Sequence, residues 1–95
     1  MTETHLFGLR TAANREDQVV DYLVSKLQMA KVHSILAVIK AHGMRGYIFV
    51  EASSKEGAEA DLQGVPYARG LLPTEIPYQE IEHMTSAKRI NKLLN

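Results

Sequence analysis

The chain has 95 residues, 45% hydrophobic and 23% charged, which suits one compact domain and excludes both a largely disordered chain and an apolar run long enough to span a bilayer. Lysine plus arginine equals aspartate plus glutamate at 11 each, so no overall field draws in a polyanion, and nucleic-acid binding would have to rest on a local basic patch. The absence of cysteine removes disulfides, thiolate metal sites and cysteine nucleophiles and fits a reducing, cytoplasmic compartment; the start MTETHLFGLRTAANRED lacks the layout of a secretory signal.

In chain order, HLFGLRT (5–11) is the first predicted strand. Its alternation puts Phe7 and Leu9 on one face and Leu6, Gly8 and Arg10 on the other. A helix is expected from about Asn14, which would cap its free amides, with Glu16 and Asp17 in the electropositive first turn. Val19, Val20, Leu23, Val24 and Leu27 then recur at helical spacing as one apolar stripe. VHSILAVI (32–39) reads as a second strand, KAHGM turns the chain through Gly43, and RGYIFVEA (45–52) returns as a third strand antiparallel to the second.

Ser53 and Glu56 have the spacing of a capping box for a small second helix, with Ala58 and Leu62 inward, Gly57 weakening it and Gly64 ending it. VPYARGLLP (65–73) is the last predicted strand, and the prolines at its ends favour a sheet edge, because proline donates no ladder hydrogen bond. Ile76 and Pro77 open a short helical turn through YQEIEHM. TSAKRINKLLN is expected to be a tail or linker, with a further helical turn as the alternative.

These elements predict an α+β fold: one four-stranded antiparallel sheet of βαββαβ order, two main helices on one face and a short C-terminal helix. In the third strand Ile48 and Val50 suit the helix-covered face, which turns Tyr47 and Phe49 to the other. Two bare rings would each forgo roughly 1.5–3 kcal/mol of burial, so a face that shows both is a candidate contact surface. Gly8 on the neighbouring first strand makes that surface a shallow depression. The alternative is that the last helix or tail, through Ile81 or Met84, folds over the rings.

RGYIFVEA also approaches the motif by which RRM-like sheets stack RNA bases. That motif asks for a small residue where Ile48 stands and an aromatic where Ala52 stands, and the first strand offers no second ring. RNA recognition through Tyr47 and Phe49 therefore ranks below protein recognition.

LFGLRTAANRED, RGYIFVEA, GVPYARGLLP and IPYQEIEHM, in this order and spacing, resemble the NusG N-terminal (NGN) domain as it occurs in the archaeal Spt-type elongation factor, the counterpart of the eukaryotic DSIF large subunit. The resemblance covers most of residues 5–84, which suggests an NGN domain at 1–84 and a tail or linker at 85–95, with no sign of the KOW domain that usually follows. It implies a transcription elongation factor domain that binds the clamp coiled coil of RNA polymerase, raises processivity and forms a heterodimer with a small zinc-binding partner. The positions that match the polymerase-binding depression are Gly8, Tyr47 and Phe49, with Gly8 where the family often carries alanine. For the partner interface the resemblance implies Glu51, whose carboxylate would meet a helix N-terminus; the alternative is a solvated strand-end carboxylate. The predicted edge, Tyr67, Ala68, Arg69, Gly70 and Leu71, would pair with the partner's sheet.

No catalytic or metal constellation stands out. His5, His33, His42 and His83 lack the spacing that brings two ligands to one ion, and no glycine loop cradles a phosphate. Arg10, Asn14 and Arg15 follow the first strand as an anion-binding loop would, but acidic residues come directly after them. The expectation is a non-enzymatic domain without a cofactor.

Overall fold

The computed structural model describes residues 3–40, 44–82 and 88–90. The elements in order are β1 (His5–Thr11), α1 (Glu16–Met29), β2 (Ile35–Lys40), β3 (Tyr47–Ala52), α2 (Lys55–Asp61), β4 (Ala68–Glu75), α3 (Tyr78–Glu82) and β5 (Lys88–Ile90). The strands form one antiparallel sheet in the order β4-β1-β3-β2-β5. The four expected strands are all present. The short β5, lying in the stretch read as tail or linker, extends the sheet by pairing with β2.

The main core lies between α1, α2 and one sheet face. Val19, Val20, Leu23, Val24 and Leu27, the apolar stripe of α1, are all buried there against Phe7, Leu9, Ile35, Val38, Ile48, Val50 and Ala52. Burying each aliphatic side chain contributes about 1.5–3 kcal/mol before chain entropy is subtracted, so this stripe holds the helix to the sheet. The register shift between Ile35 and Ala37 explains how β2 joins in: the extra residue reverses the alternation, so Ile35 and Val38 both face the helices although they are three apart.

Three local expectations need correction. Asn14 does not cap α1: it adopts φ 67° in a turn, and Arg15 occupies the cap position without a side-chain hydrogen bond. Its amide donates instead to Glu16 Oε2 at 3.0 Å, and the same oxygen takes the Gly46 amide at 2.6 Å, tying the start of α1 to the β2–β3 turn. The Gly46 amide, ahead of the carboxylate's other contacts, holds Glu16 below the usual carboxylate pKa, against a smaller opposing effect of burial. At α2 the cap is Ser54, which accepts from Gly57 N at 3.0 Å; the Ser53 amide goes to Ser34 O across the sheet. Gly57 has a packing reason to be glycine, since a Cβ there would stand 1.9 Å from Ser34 Oγ.

The third correction concerns β4, which begins and ends later than predicted and contains Pro73. Leu9 pairs with Leu71 but Phe7 with Glu75, so β4 carries two extra residues opposite this part of β1, and Pro73 sits in that irregularity on an edge strand, where its missing donor costs little. An insertion of two preserves parity. Leu71 packs toward the main core, and Leu72 comes over Gly8 on the opposite face.

Candidate functional site

Strand alternation holds along β1 and β3. Their in-register pairing sets Leu6 opposite Glu51, Gly8 opposite Phe49 and Arg10 opposite Tyr47, a row of pairs on the face turned away from α1 and α2. The three residues matched to the polymerase-binding depression are therefore brought together.

The expectation that both rings lie bare does not hold. Tyr47 is half-buried, but Phe49 is only 3% exposed. It belongs to a second small core with Leu6 and Ile39, over which Met44 and Ile76 pack. The space above Gly8 is likewise taken, because a Cβ added there would meet Leu72 Cδ1 at 2.8 Å and Ile76 Cδ1 at 3.3 Å. The cover comes from residues other than those named as the alternative: Leu72 and Ile76, from β4 and the segment after it, and Met44 from before β3. The Ile81 side chain and Met84, through which the last helix or tail would fold over the rings, lie outside what the structure describes. Continuing the strand alternation past Pro73 would have put Leu72 and Ile76 on the face of Gly8 from sequence alone.

Glu51 is not a solvated strand-end carboxylate. It is 7% exposed, and its Oε2 accepts the Tyr78 hydroxyl at 2.7 Å and the Thr4 hydroxyl at 3.3 Å, those two hydroxyls themselves lying 2.9 Å apart. Tyr78 and Thr4 were not singled out by sequence reasoning, since both come from segments distant in the chain.

The partner-interface candidates occupy the free edge. β4 is terminal in the sheet and β5 covers the β2 side, which leaves β4 as the long strand with an open edge among the described residues. Ala68, Arg69, Gly70 and Leu71 lie in β4; Arg69 and Gly70 are exposed and Ala68 and Leu71 half-buried against the core. Tyr67 precedes the strand at φ 68°, its carbonyl taking the Ala12 amide at 2.9 Å and its ring lying 5.1 Å below the Arg15 guanidinium. Gly70, at φ 143°, adopts a backbone conformation that suits glycine alone.

Other charged groups serve local structure. Asp61 Oδ2 accepts the amides of Ser34 and Ile35 at 2.7 and 2.9 Å, and Lys26 donates to Asp61 O at 2.8 Å. His5 pairs with Glu75 at 2.9 Å, and His33 Nδ1 lies 2.8 Å from Ile35 O. His42 and His83 lie outside the described residues. Among the described residues no group of three His, Cys, Asp or Glu is placed to hold a metal, and no helix is long and apolar enough to cross a membrane.

Residues 5–85 match the family described as early transcription elongation factor of RNA pol II, NGN section. The chain is 34% identical over 83 residues to transcription elongation factor Spt5 of Pyrococcus furiosus, covering 87% of this chain and 54% of that protein. It is 27% identical over 85 residues to Spt5 of Methanocaldococcus jannaschii, covering 90% and 57%. It therefore spans about half the length of the curated relatives it matches. Its fold is similar to that of a chain in the Spt4 heterodimer complex from Methanococcus jannaschii, with a TM-score of 0.79, 26% identity, and coverage of 86% of this chain and 96% of that one.

Proposed function

The chain belongs to the Spt5 NGN family of transcription elongation factors, and from that premise we propose that it docks on the clamp coiled coil of RNA polymerase, raises processivity, and does so as a heterodimer with a small zinc-binding protein of the Spt4 kind. The observation that carries the polymerase reading is the register of β1 and β3: Gly8, Phe49 and Tyr47 come together on the sheet face that the two main helices leave. Tyr47 forms the accessible rim and exposed Arg10 stands opposite it. Half-buried Leu72 and Ile76 add aliphatic surface beside them. An apolar floor with an aromatic edge suits the side of a coiled coil, where aliphatic knobs and long charged side chains alternate.

The heterodimer reading rests on the edge. Among the described residues β4 is the terminal strand, so Ala68–Leu71 lie along an open sheet edge, the requirement for strand addition, and the heterodimer complex of the similar chain gives the precedent. Glu51 belongs to this reading as a carboxylate that a partner's helix N-terminus would attract once it is reached. The work of the domain is docking, with no cofactor.

RNA stacking on this face loses support, because the cover on Phe49 leaves Tyr47 as the one accessible ring of the pair. The test is affinity capture with the tagged chain from its native lysate. Recovery of polymerase subunits together with a small zinc protein is the expected result, and recovery of neither overturns the proposal.

A further inference from the structure

Phe49 and Glu51 lie two apart on β3 and so on one sheet face, and the same short stretch of chain contributes to the cover of each, beside Met44 over Phe49 and Thr4 at Glu51. Ile76 packs on the cluster containing Phe49, and its methyl reaches over Gly8; Tyr78, two residues on, donates its hydroxyl to Glu51 at 2.7 Å. Between the ends of this cover the Ile76 amide donates to Leu6 O at 2.8 Å, and Thr4 joins the Tyr78–Glu51 contact. The stretch contains Pro77, whose ring fixes one backbone dihedral and couples the positions of its two neighbours. Tyr78 itself is 39% exposed.

We infer that Ile76–Tyr78 is a strap that closes over Phe49 and Glu51 together, with the Tyr78–Glu51 hydrogen bond as its catch. The inference rests on the docking reading above for its biological meaning. Its physical content, one opening motion that uncovers both side chains, belongs to the chain alone. A ligand that takes the Glu51 carboxylate replaces the Tyr78 hydroxyl, releases the strap and exposes the Phe49 ring. Occupancy of the Phe49 depression in turn frees Glu51, because coupling between two binding events is reciprocal. Partner binding at Glu51 then promotes polymerase docking at Phe49 without any contact between the two ligands.

The experiment follows Phe49 ring protons by their relaxation from a soluble gadolinium chelate, and the Ile76 amide by hydrogen exchange, in the whole chain and in Tyr78→Phe. Loss of a hydrogen bond to a carboxylate is expected to speed Ile76 amide exchange roughly tenfold and to raise Phe49 relaxation in parallel, with α1 amides unchanged. If Phe49 stays shielded while Ile76 exchanges faster, or neither changes, the strap does not move as a unit and the inference is overturned. Thr4→Val, which removes the longer bond, is expected to give the same pair of changes at smaller size; a change in one probe alone counts against the inference. In a second arm a purified zinc-binding Spt4-type protein is titrated into the chain. It is expected to raise Phe49 relaxation in the natural sequence and to add little in Tyr78→Phe. Absence of any binding in this arm counts against the heterodimer reading and leaves the first arm to decide the strap, whereas binding with Phe49 still shielded overturns the coupling.

Discussion

Ile48 and Phe49 are neighbours on β3 and both buried, yet they belong to different cores: Ile48 lies under α1 and α2, and Phe49 lies under Ile76 and Met44 on the opposite face. The sheet is therefore covered on both sides around its centre, and among the described residues the Tyr47 end of the proposed docking row is the open one. Substitutions at the two aromatics should separate folding from docking.

Phe49→Ala is expected to destabilise the chain by about 3 kcal/mol in urea unfolding, since it empties a small but closed cluster. Phe49→Asp should leave the chain largely unfolded, because a carboxylate would be buried there without a known partner. Tyr47→Asp, at a half-buried position, should cost less than about 1 kcal/mol. Equal losses from the two aspartates would mean that Tyr47 is as much a core residue as Phe49.

Gly57→Ala is expected to destabilise the chain although it sits inside a helix. Alanine gains about 1 kcal/mol over glycine in helix propensity, but its methyl would stand 1.9 Å from Ser34 Oγ and 2.5 Å from Ser34 Cβ. Separating α2 from that strand entry costs about 1–3 kcal/mol, so the steric effect prevails. Pairing the change with Ser34→Gly should recover much of the loss, and a lower unfolding midpoint in the single variant with recovery in the double variant checks this.

Glu16 gives a pH dependence of known sign. The Gly46 and Asn14 amides hold its carboxylate in the ionised form, so its folded-state pKa lies below the unfolded value. The contribution is present above the unfolded pKa and is lost as the pH falls through the folded one. Thermal melts of the natural chain and Glu16→Gln should differ most near neutral pH and converge in acid. A gap that widened in acid would show that the carboxylate is not what holds the β2–β3 turn.

The parts of the fold that depend on alternation and periodicity were legible in the sequence. The α1 stripe and the opposed faces of β1 and β3 follow from local spacing, and the edge position of β4 follows from its prolines. What escaped is non-local or depends on one residue's backbone. Part of the cover on Phe49 comes from Ile76, 27 positions later in the chain, past a proline that looks like a strand end but lies within β4. Asn14 looks like a cap but turns into the left-handed region, and the cap of α2 falls on the second of two adjacent serines. Glu51 looks like an exposed strand-end acid, and only the folded chain brings Tyr78 and Thr4 to it.

The most direct test of the docking claim is calorimetric titration of the isolated clamp coiled coil of RNA polymerase into the natural chain and into Tyr47→Asp, with both chains' unfolding midpoints measured beside it. Saturable binding to the natural chain, weakened at least about tenfold by Tyr47→Asp at an unchanged midpoint, is the expected result for a rim anchor of a real interface. Equal affinity for the two folded chains would contradict the claim that this face of the sheet is where polymerase docks.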